Sequence, residues 1–189
     1  MSCYCSRQGV TVQPANYELP VESNGSPLVI FGSRDYASQP GSVRDRAERV
    51  LAEVSSRGVE EPDYIISGGA DGADAVAEAV SMLLGVPMVV FSVGEPSEPT
   101  IFRREQADNQ WIIEAVTSYS GGRDDPRSGR GAYLTRNCLM AEVTANAGGA
   151  GFAIYNGDSS GTGHMLDSCR AHGVDTIEIW RYDTASKTR

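Results

Sequence analysis

A repeated order of an apolar segment, a glycine- and serine-rich turn and an amphipathic segment most constrains what this chain folds into. The order first appears in PLVIFGSR, which precedes apolar residues spaced as one helical stripe over 42–57. It returns in YIISGGADGAD, with a helix predicted over 70–84 and stopped by Gly85, and in AGFAIYNGDSSGTGH, with a helix predicted over 161–172. Strands that alternate with helices of this length indicate βαβ units.

Two further apolar segments, VPMVVF and VDTIEIW, predict strands that extend the same repeat. Parallel strands joined by helices form a sheet with helices on both faces and right-handed crossovers. We therefore expect an α/β fold, with a Rossmann-like open parallel sheet of about five strands and helices on both faces. The length of 189 residues with 40% hydrophobic residues suits one core.

Charge and hydropathy argue against several classes of protein. The net charge of -9 disfavours binding along a nucleic-acid backbone or an anionic membrane by bulk electrostatics. The N-terminus lacks a signal-peptide pattern, and no apolar run approaches the roughly 20 residues that span a bilayer. The four cysteines show no CxxC spacing for zinc, and we interpret all four as reduced thiols. We therefore expect an acidic, cytoplasmic protein with no metal, no cofactor and no membrane partner.

Three predicted strands end in small, polar residues that suit an anion site. In an open parallel sheet the carboxyl ends of the strands lie on one edge, where ligands bind. Glycine lets the backbone approach an anion, and the next helix presents N–H groups and the positive end of its dipole. We expect a phosphate or other oxyanion at these loops, with the Ser and Thr hydroxyls as further donors. The loop residues are Gly32, Ser33, Arg34, Ser67, Gly68, Gly69, Asp71, Ser159, Ser160, Gly161 and Thr162.

Each of these features also has a structural interpretation, because Gly, Ser and Asp commonly turn the chain and cap the following helix. Asp71 and Asp74 both suit a contact with a ribose hydroxyl, and Asp71 equally suits a helix cap. Arg34 and Arg136 suit bidentate pairing with phosphate or stacking on a base, with internal salt bridges as the alternative. Tyr133 suits either an aromatic wall of a site or core packing.

Four motifs in order, FGSRDY, IISGGADGADAVAEAVSMLLGVP, RNCLMAE and GDSSGTGHMLD, resemble the SLOG superfamily of Rossmann-like proteins. This superfamily includes the DprA/Smf and Lonely Guy proteins, and the chain is most similar to its YspA/YpsA-like branch. The resemblance covers roughly residues 28–180 except 93–131. It implies a nucleotide or nucleotide-derived ligand and self-association into a homo-oligomer. The matching positions are Gly32, Ser33, Arg34, Ser67, Gly68, Gly69, Asp71, Arg136, Asn137, Ser160, Gly161 and Thr162.

The Lonely Guy branch contains phosphoribohydrolases, which use an arginine on an RxxxM helix and a glutamate just after a Gly-Thr turn. Arg136 and Met140 match the first element, but no glutamate directly follows the Gly-Thr turn at 161–162. Cleavage of an N-glycosidic bond needs a group that stabilises positive charge on the ribose, so the missing glutamate weakens the hydrolase interpretation. The weak catalytic candidates are Asp158, His164 and Asp167.

We therefore predict a protein that binds a nucleotide or nucleotide-derived ligand through its glycine- and serine-rich loops. A nucleoside 5′-monophosphate phosphoribohydrolase, or a related nucleotide-processing enzyme, is the alternative. DprA-like binding of single-stranded DNA is disfavoured by the acidic charge and the lack of a basic stripe. We expect an N-terminal arm over 1–26, a SLOG-like domain over 27–182 and a polar tail over 183–189. An insertion or lid over 93–131 interrupts the domain, and we interpret its part from 102 to 116 as a helix.

Overall fold

The computed structural model describes residues 25–38, 41–94, 101–105, 111–118, 129–155 and 157–180. The predicted polar tail and all but the last two residues of the predicted N-terminal arm lie outside these ranges, as do Cys3 and Cys5. Within them, no helix combines the length and the apolar character that crossing a membrane requires.

The described part of the chain forms one sheet of seven strands. The order across the sheet is β4-β5-β3-β2-β1-β6-β7, and all neighbours are parallel except β4 and β5, which are antiparallel. The five strands predicted from the sequence form the consecutive parallel run β3-β2-β1-β6-β7 of this sheet, which confirms the α/β, Rossmann-like fold. The strands are β1 (Pro27–Gly32), β2 (Tyr64–Ser67), β3 (Met88–Gly94), β4 (Ile101–Glu105), β5 (Trp111–Ser118), β6 (Ala150–Tyr155) and β7 (Thr176–Trp180).

Among the described residues, four α-helices cover the two faces of the sheet, and a short 3-10 helix, Arg34–Ser38, follows β1. Alternate residues of β1 point to opposite faces: Leu28 and Ile30 pack with α1 and α2, whereas Val29 and Phe31 pack with α3 and α4. Strand β1 is therefore buried on both sides, as a central parallel strand requires. The helices are α1 (Val43–Ser56), α2 (Ala73–Leu84), α3 (Gly129–Asn146) and α4 (Ser160–His172).

The ends of α1 and α2 follow from local chemistry. At the start of α1, the Ser42 hydroxyl accepts the Asp45 N–H at 3.0 Å, and the Asp45 carboxylate accepts the Ser42 N–H at 2.9 Å. This capping box satisfies donors that have no partner within the helix. Helix α2 ends at Leu84, and the left-handed φ of 70° at Gly85, the residue after it, confirms the stop predicted there.

The interpretation of 102–116 as a helix is wrong, because this stretch contributes to β4 and β5. Strand β5 has the sequence WIIEAVTS, in which aromatic and β-branched residues favour a strand. The parallel pairing of β5 with β3 supplies the hydrogen-bond ladder. A short apolar run does not by itself distinguish a strand from a helix. Residues 101–105 and 111–118 thus extend the sheet, whereas 129–131 begin the helix that follows.

The interpretation of all four cysteines as reduced thiols is wrong for Cys138, which is disulfide-bonded. Cys169 is a buried free thiol, and burial raises its pKa to about 11. Spacing along the chain does not show which sulfur atoms meet, because a disulfide depends on the separation of the two residues in three dimensions.

The strand order reverses between β1 and β6. From β1 the chain continues to β2 and β3 on one side, whereas β6 and β7 lie on the other. The Ser33 N–H donates to the Ile154 carbonyl at 2.9 Å and joins the carboxyl ends of the two strands. In open α/β sheets, ligands bind in the crevice outside the carboxyl ends at such a reversal.

Candidate functional site

A cavity of about 930 Å³ lies at the carboxyl edge of the sheet where the strand order reverses. Its volume is within the range of about 300–1,000 Å³ that is usual for small-molecule sites. Residues that follow β1, β2 and β6 line it, together with residues from the starts of α2 and α4 and from α3. Most of the predicted ligand-binding residues lie here: Gly32, Ser33, Arg34, Gly68, Arg136, Asn137, Ser159, Ser160, Gly161 and Thr162.

Three predicted ligand-binding residues do not line the cavity. Ser67 is fully buried at the end of β2, where its hydroxyl accepts the Gly69 N–H at 3.4 Å. Gly69 has a φ of 68°, which favours glycine at this turn for conformational reasons. Asp71 is exposed. The Ser67 hydroxyl and the left-handed Gly69 thus order the turn after β2 without lining the cavity.

The three weak catalytic candidates separate in the structure. Asp158 lines the cavity. His164 is half-buried in α4, and its Nδ1 lies 3.5 Å from the Ser168 hydroxyl. Asp167 is exposed on the same helix, where it pairs with Arg170 at 3.2 Å. Neither His164 nor Asp167 is among the residues that line the cavity.

Arg136 joins α3 to the loop after β2. Its Nη1 donates to the Gly68 carbonyl at 2.9 Å, and its Nη2 donates to the Asn137 Oδ1 at 3.2 Å. Its guanidinium lies 5.5 Å from the centre of the Tyr133 ring, one turn earlier on α3. Gly68 makes this position possible, because a Cβ there would lie 2.7 Å from the guanidinium carbon.

The loop after β6 is tied to both α3 and α4. The Asn137 side chain donates to the Gly161 carbonyl at 3.2 Å. Ser159 caps α4 by accepting the Thr162 N–H, and the Thr162 hydroxyl donates to Ser159 Oγ at 2.9 Å. These two hydroxyls therefore contribute to the cap, whereas Ser160 and Gly161 are exposed at the start of the helix. The amino end of α4 thus borders the cavity with the positive end of its dipole.

Arg34 begins the 3-10 helix that follows β1, and the buried Arg46 side chain holds this segment in place. Arg46 donates to the Tyr36 carbonyl at 2.8 Å and to the Gly41 carbonyl at 3.2 Å. Its guanidinium also lies 5.5 Å from the centre of the Tyr36 ring. The backbone that carries Arg34 to the cavity is therefore anchored from α1.

Asp74 is a buried carboxylate at the start of α2 and is only 8% exposed. It lines the cavity together with Arg34 and Arg136. It accepts the Ala70 N–H at 2.8 Å. Burial raises the pKa of Asp74, while the Ala70 N–H, Arg136, the Ser67 hydroxyl and Arg34 oppose that rise. The carboxylate therefore lies within the electrostatic reach of both guanidinium groups.

Several lining residues were not assigned to a site by the loop motifs. Sequence reasoning missed Phe31, Asp35, Ala70, Leu134 and Met165. The other lining residues of α3 are indicated by the sequence, because Asn137 is a predicted ligand-binding residue, Tyr133 suits an aromatic wall and Met140 matches the RxxxM element. No comparable signal marks Phe31, which looks like any other apolar residue of a buried strand.

No model of a known protein family matches the chain, and no curated protein matches its sequence significantly.

Proposed function

We propose that this chain binds a nucleotide or nucleotide-derived ligand with its phosphate between Arg34, Arg136 and the amino end of α4. The observation that carries the proposal is that these three features, which come from distant parts of the sequence, line the same cavity. A helix amino terminus attracts an anion through its N–H groups and its dipole. Guanidinium groups add bidentate, charge-assisted hydrogen bonds to phosphate oxygens.

The rest of the lining supports a ligand larger than inorganic phosphate. Phe31, Met140 and Met165 present apolar surface, and Tyr133 is 43% exposed beside Arg136. Ligand sites commonly combine such apolar and aromatic surface with a few polar groups that fix orientation. A nucleotide offers both an anionic group and a flat, stackable base. We also propose that the chain is a member of the SLOG superfamily, which its four motifs resemble.

Hydrolysis of the N-glycosidic bond is the second candidate, and the position of Asp158 on the cavity favours it. Mass spectrometry of small molecules released from the purified protein identifies the ligand, and incubation with AMP distinguishes the two functions. Recovery of intact AMP supports binding alone. Release of adenine over many turnovers, lost in Asp158→Asn, would support the hydrolase instead.

Gly161 provides a test of the phosphate position. A Cβ at Gly161 meets no atom of the described chain within 4 Å, so Gly161→Val is expected to fold. Its side chain would stand where the anion approaches the helix, so stabilisation by nucleotide should be lost. For the wild-type chain, ligand at a hundred times its Kd adds about 2.7 kcal/mol. The measurement is the shift in Tm with and without nucleotide.

Gly163→Val is the matched control, because Gly163 lies on the same helix but does not line the cavity. A Cβ at Gly163 would lie 3.5 Å from the Tyr155 hydroxyl, an ordinary contact. This variant should keep the nucleotide-induced shift. If nucleotide raises the Tm of a folded Gly161→Val as much as that of the wild-type chain, the phosphate does not bind beside Gly161. If no nucleotide raises the Tm of the wild-type chain, the proposed function is refuted.

A further inference from the structure

Asp74 is an unexpected residue for a cavity that takes an anion. A carboxylate near a phosphate repels it, and burying a charged group is costly unless hydrogen bonds or opposite charges compensate. Asp74 is nevertheless more than nine-tenths buried and lines the cavity beside Arg34 and Arg136. Its presence suggests that the ligand brings a hydrogen-bond donor to this point.

The contacts of Asp74 leave room for such a donor. An ionised carboxylate has about four lone-pair positions. The Ala70 N–H fills one of them at 2.8 Å, and the Ser67 hydroxyl also donates to the group. The Ser67 hydroxyl belongs to the last residue of β2 and the Ala70 N–H to the loop that follows, and Asp74 itself lines the cavity. The loop thus holds Asp74 in a fixed orientation at the cavity surface.

The charges of the described lining support the same conclusion. Asp35 and Asp158 also line the cavity, so its described lining contains three carboxylates and two guanidinium groups. Such a lining does not suit a ligand that offers anionic oxygens alone, because each added negative charge would approach carboxylates as well as arginines. It suits a ligand that combines a phosphate with several hydroxyl donors.

We infer that Asp74 is a specificity-determining residue that accepts a hydrogen bond from a ribose 2′- or 3′-hydroxyl and makes the site selective for ribonucleotides. The inference rests on the proposed function and adds the sugar to it. Hydrogen bonds to charged groups are the stronger ones, and loss of the ribose hydroxyl removes one of the donors that compensate for the burial of this carboxylate. Removal of that hydroxyl should weaken binding by about tenfold or more.

The experiment compares the four common ribonucleoside 5′-monophosphates with their 2′-deoxy and 3′-deoxy counterparts, by calorimetric titration and by Tm shift. In the wild-type chain, at least one deoxy form of each nucleotide that binds should be weaker by about tenfold. Asp74→Asn should lose most of this difference while still binding the nucleotide. Asp71→Asn, an exposed carboxylate of the same loop, is the matched control and should keep the difference.

Each outcome separates the inference from the proposed function. Equal affinity of the wild-type chain for a ribonucleotide and both deoxy forms would overturn the inference and leave nucleotide binding intact. A ribose preference that persists in Asp74→Asn would also overturn it, because another group would then contact the sugar. Absence of binding by every nucleotide would overturn both. The wild-type comparison needs no variant, so it holds even if Asp74→Asn does not fold.

Discussion

At the scale of single residues, the glycines around the cavity differ in what the absence of a side chain makes room for. A Cβ at Gly32 would lie 2.2 Å from the Ile154 carbonyl and 2.8 Å from the Ala73 Cβ. Gly32 therefore permits close packing of β1 against β6 and α2. A Cβ at Gly68 would meet the Arg136 guanidinium, whereas one at Gly161 meets no described atom. Of these three, Gly161 best fits the expected role of admitting an anion.

We predict that Gly32→Ala destabilises the fold more than Gly68→Ala. At Gly32 the methyl group meets backbone, which cannot move without disturbing two strands, so a loss of about 3 kcal/mol is expected. At Gly68 it meets the end of a flexible side chain, so the loss should be about 1 kcal/mol, mainly from the Arg136 bond to Gly68. Urea denaturation measures both values.

The affinity for nucleotide is a second quantity to measure for Gly32→Ala and Gly68→Ala. Gly68→Ala should weaken binding, since it displaces Arg136 from its position on the cavity. Equal stability of the two variants would show that the β1–β6 contact at Gly32 is less rigid than the structure indicates.

At the scale of elements, α1 depends on its first turn. The capping box of Ser42 and Asp45 begins the helix, and the buried Arg46 in the next position anchors the segment that carries Arg34. Ser42→Ala should lower the free energy of unfolding by about 1 kcal/mol, because it removes the acceptor of the Asp45 N–H. Ser55→Ala, at an exposed position near the other end of α1, is the control, and urea denaturation of both variants is the measurement.

The effect of the cap should also depend on pH. Hydrogen bonds from the Ser42 N–H and hydroxyl lower the pKa of Asp45 below its ordinary value of 3.8. A lowered carboxyl pKa in the folded state contributes stability above the unfolded value, and this contribution is lost as the pH falls through the folded value. The stability difference between the wild-type chain and Asp45→Asn should therefore be present near neutral pH and shrink below about pH 4. A difference that stays constant down to pH 2 would argue against the capping box.

At the scale of the whole molecule, each face of the sheet packs against two helices to form a hydrophobic core, and the central strands contribute residues to both cores. In β2, Ile65 packs with α1 and α2, whereas Ile66 packs with α3 and α4, and both are fully buried. Since one strand connects both cores, they should unfold together. Ile65→Val and Ile66→Val should each lower the free energy of unfolding by about 1 kcal/mol, and each variant should still unfold in a single transition. Circular dichroism and fluorescence in urea should coincide for both variants, and a two-step curve would show that the faces unfold separately.

Much of this architecture could be predicted from the sequence because residues close together in the chain determine it. The alternation of apolar segments, glycine-rich turns and helical stripes identified β1, β2, β3, β6 and β7 and the stop at Gly85. Parallel connection through helices then required the loops after β1, β2 and β6 to share one edge, which brought Arg34, Gly68 and Gly161 into one predicted site. These predictions depend on periodicity and chain order, which neighbouring residues determine.

Features that depend on contacts between residues distant in the sequence become visible only in the tertiary structure. Strand β5 is a strand because β3 pairs with it, and the exclusion of Ser67, His164 and Asp167 from the cavity follows from how the loops and α4 pack. The sequence marks Asp71 and Asp74 equally for a ribose contact, and only the fold distinguishes them, because it buries Asp74 in the cavity lining with Arg34 and Arg136 and leaves Asp71 exposed. The physical reason is that local sequence sets backbone propensity and periodicity, whereas burial, cavity lining and charge proximity arise only when separate elements meet.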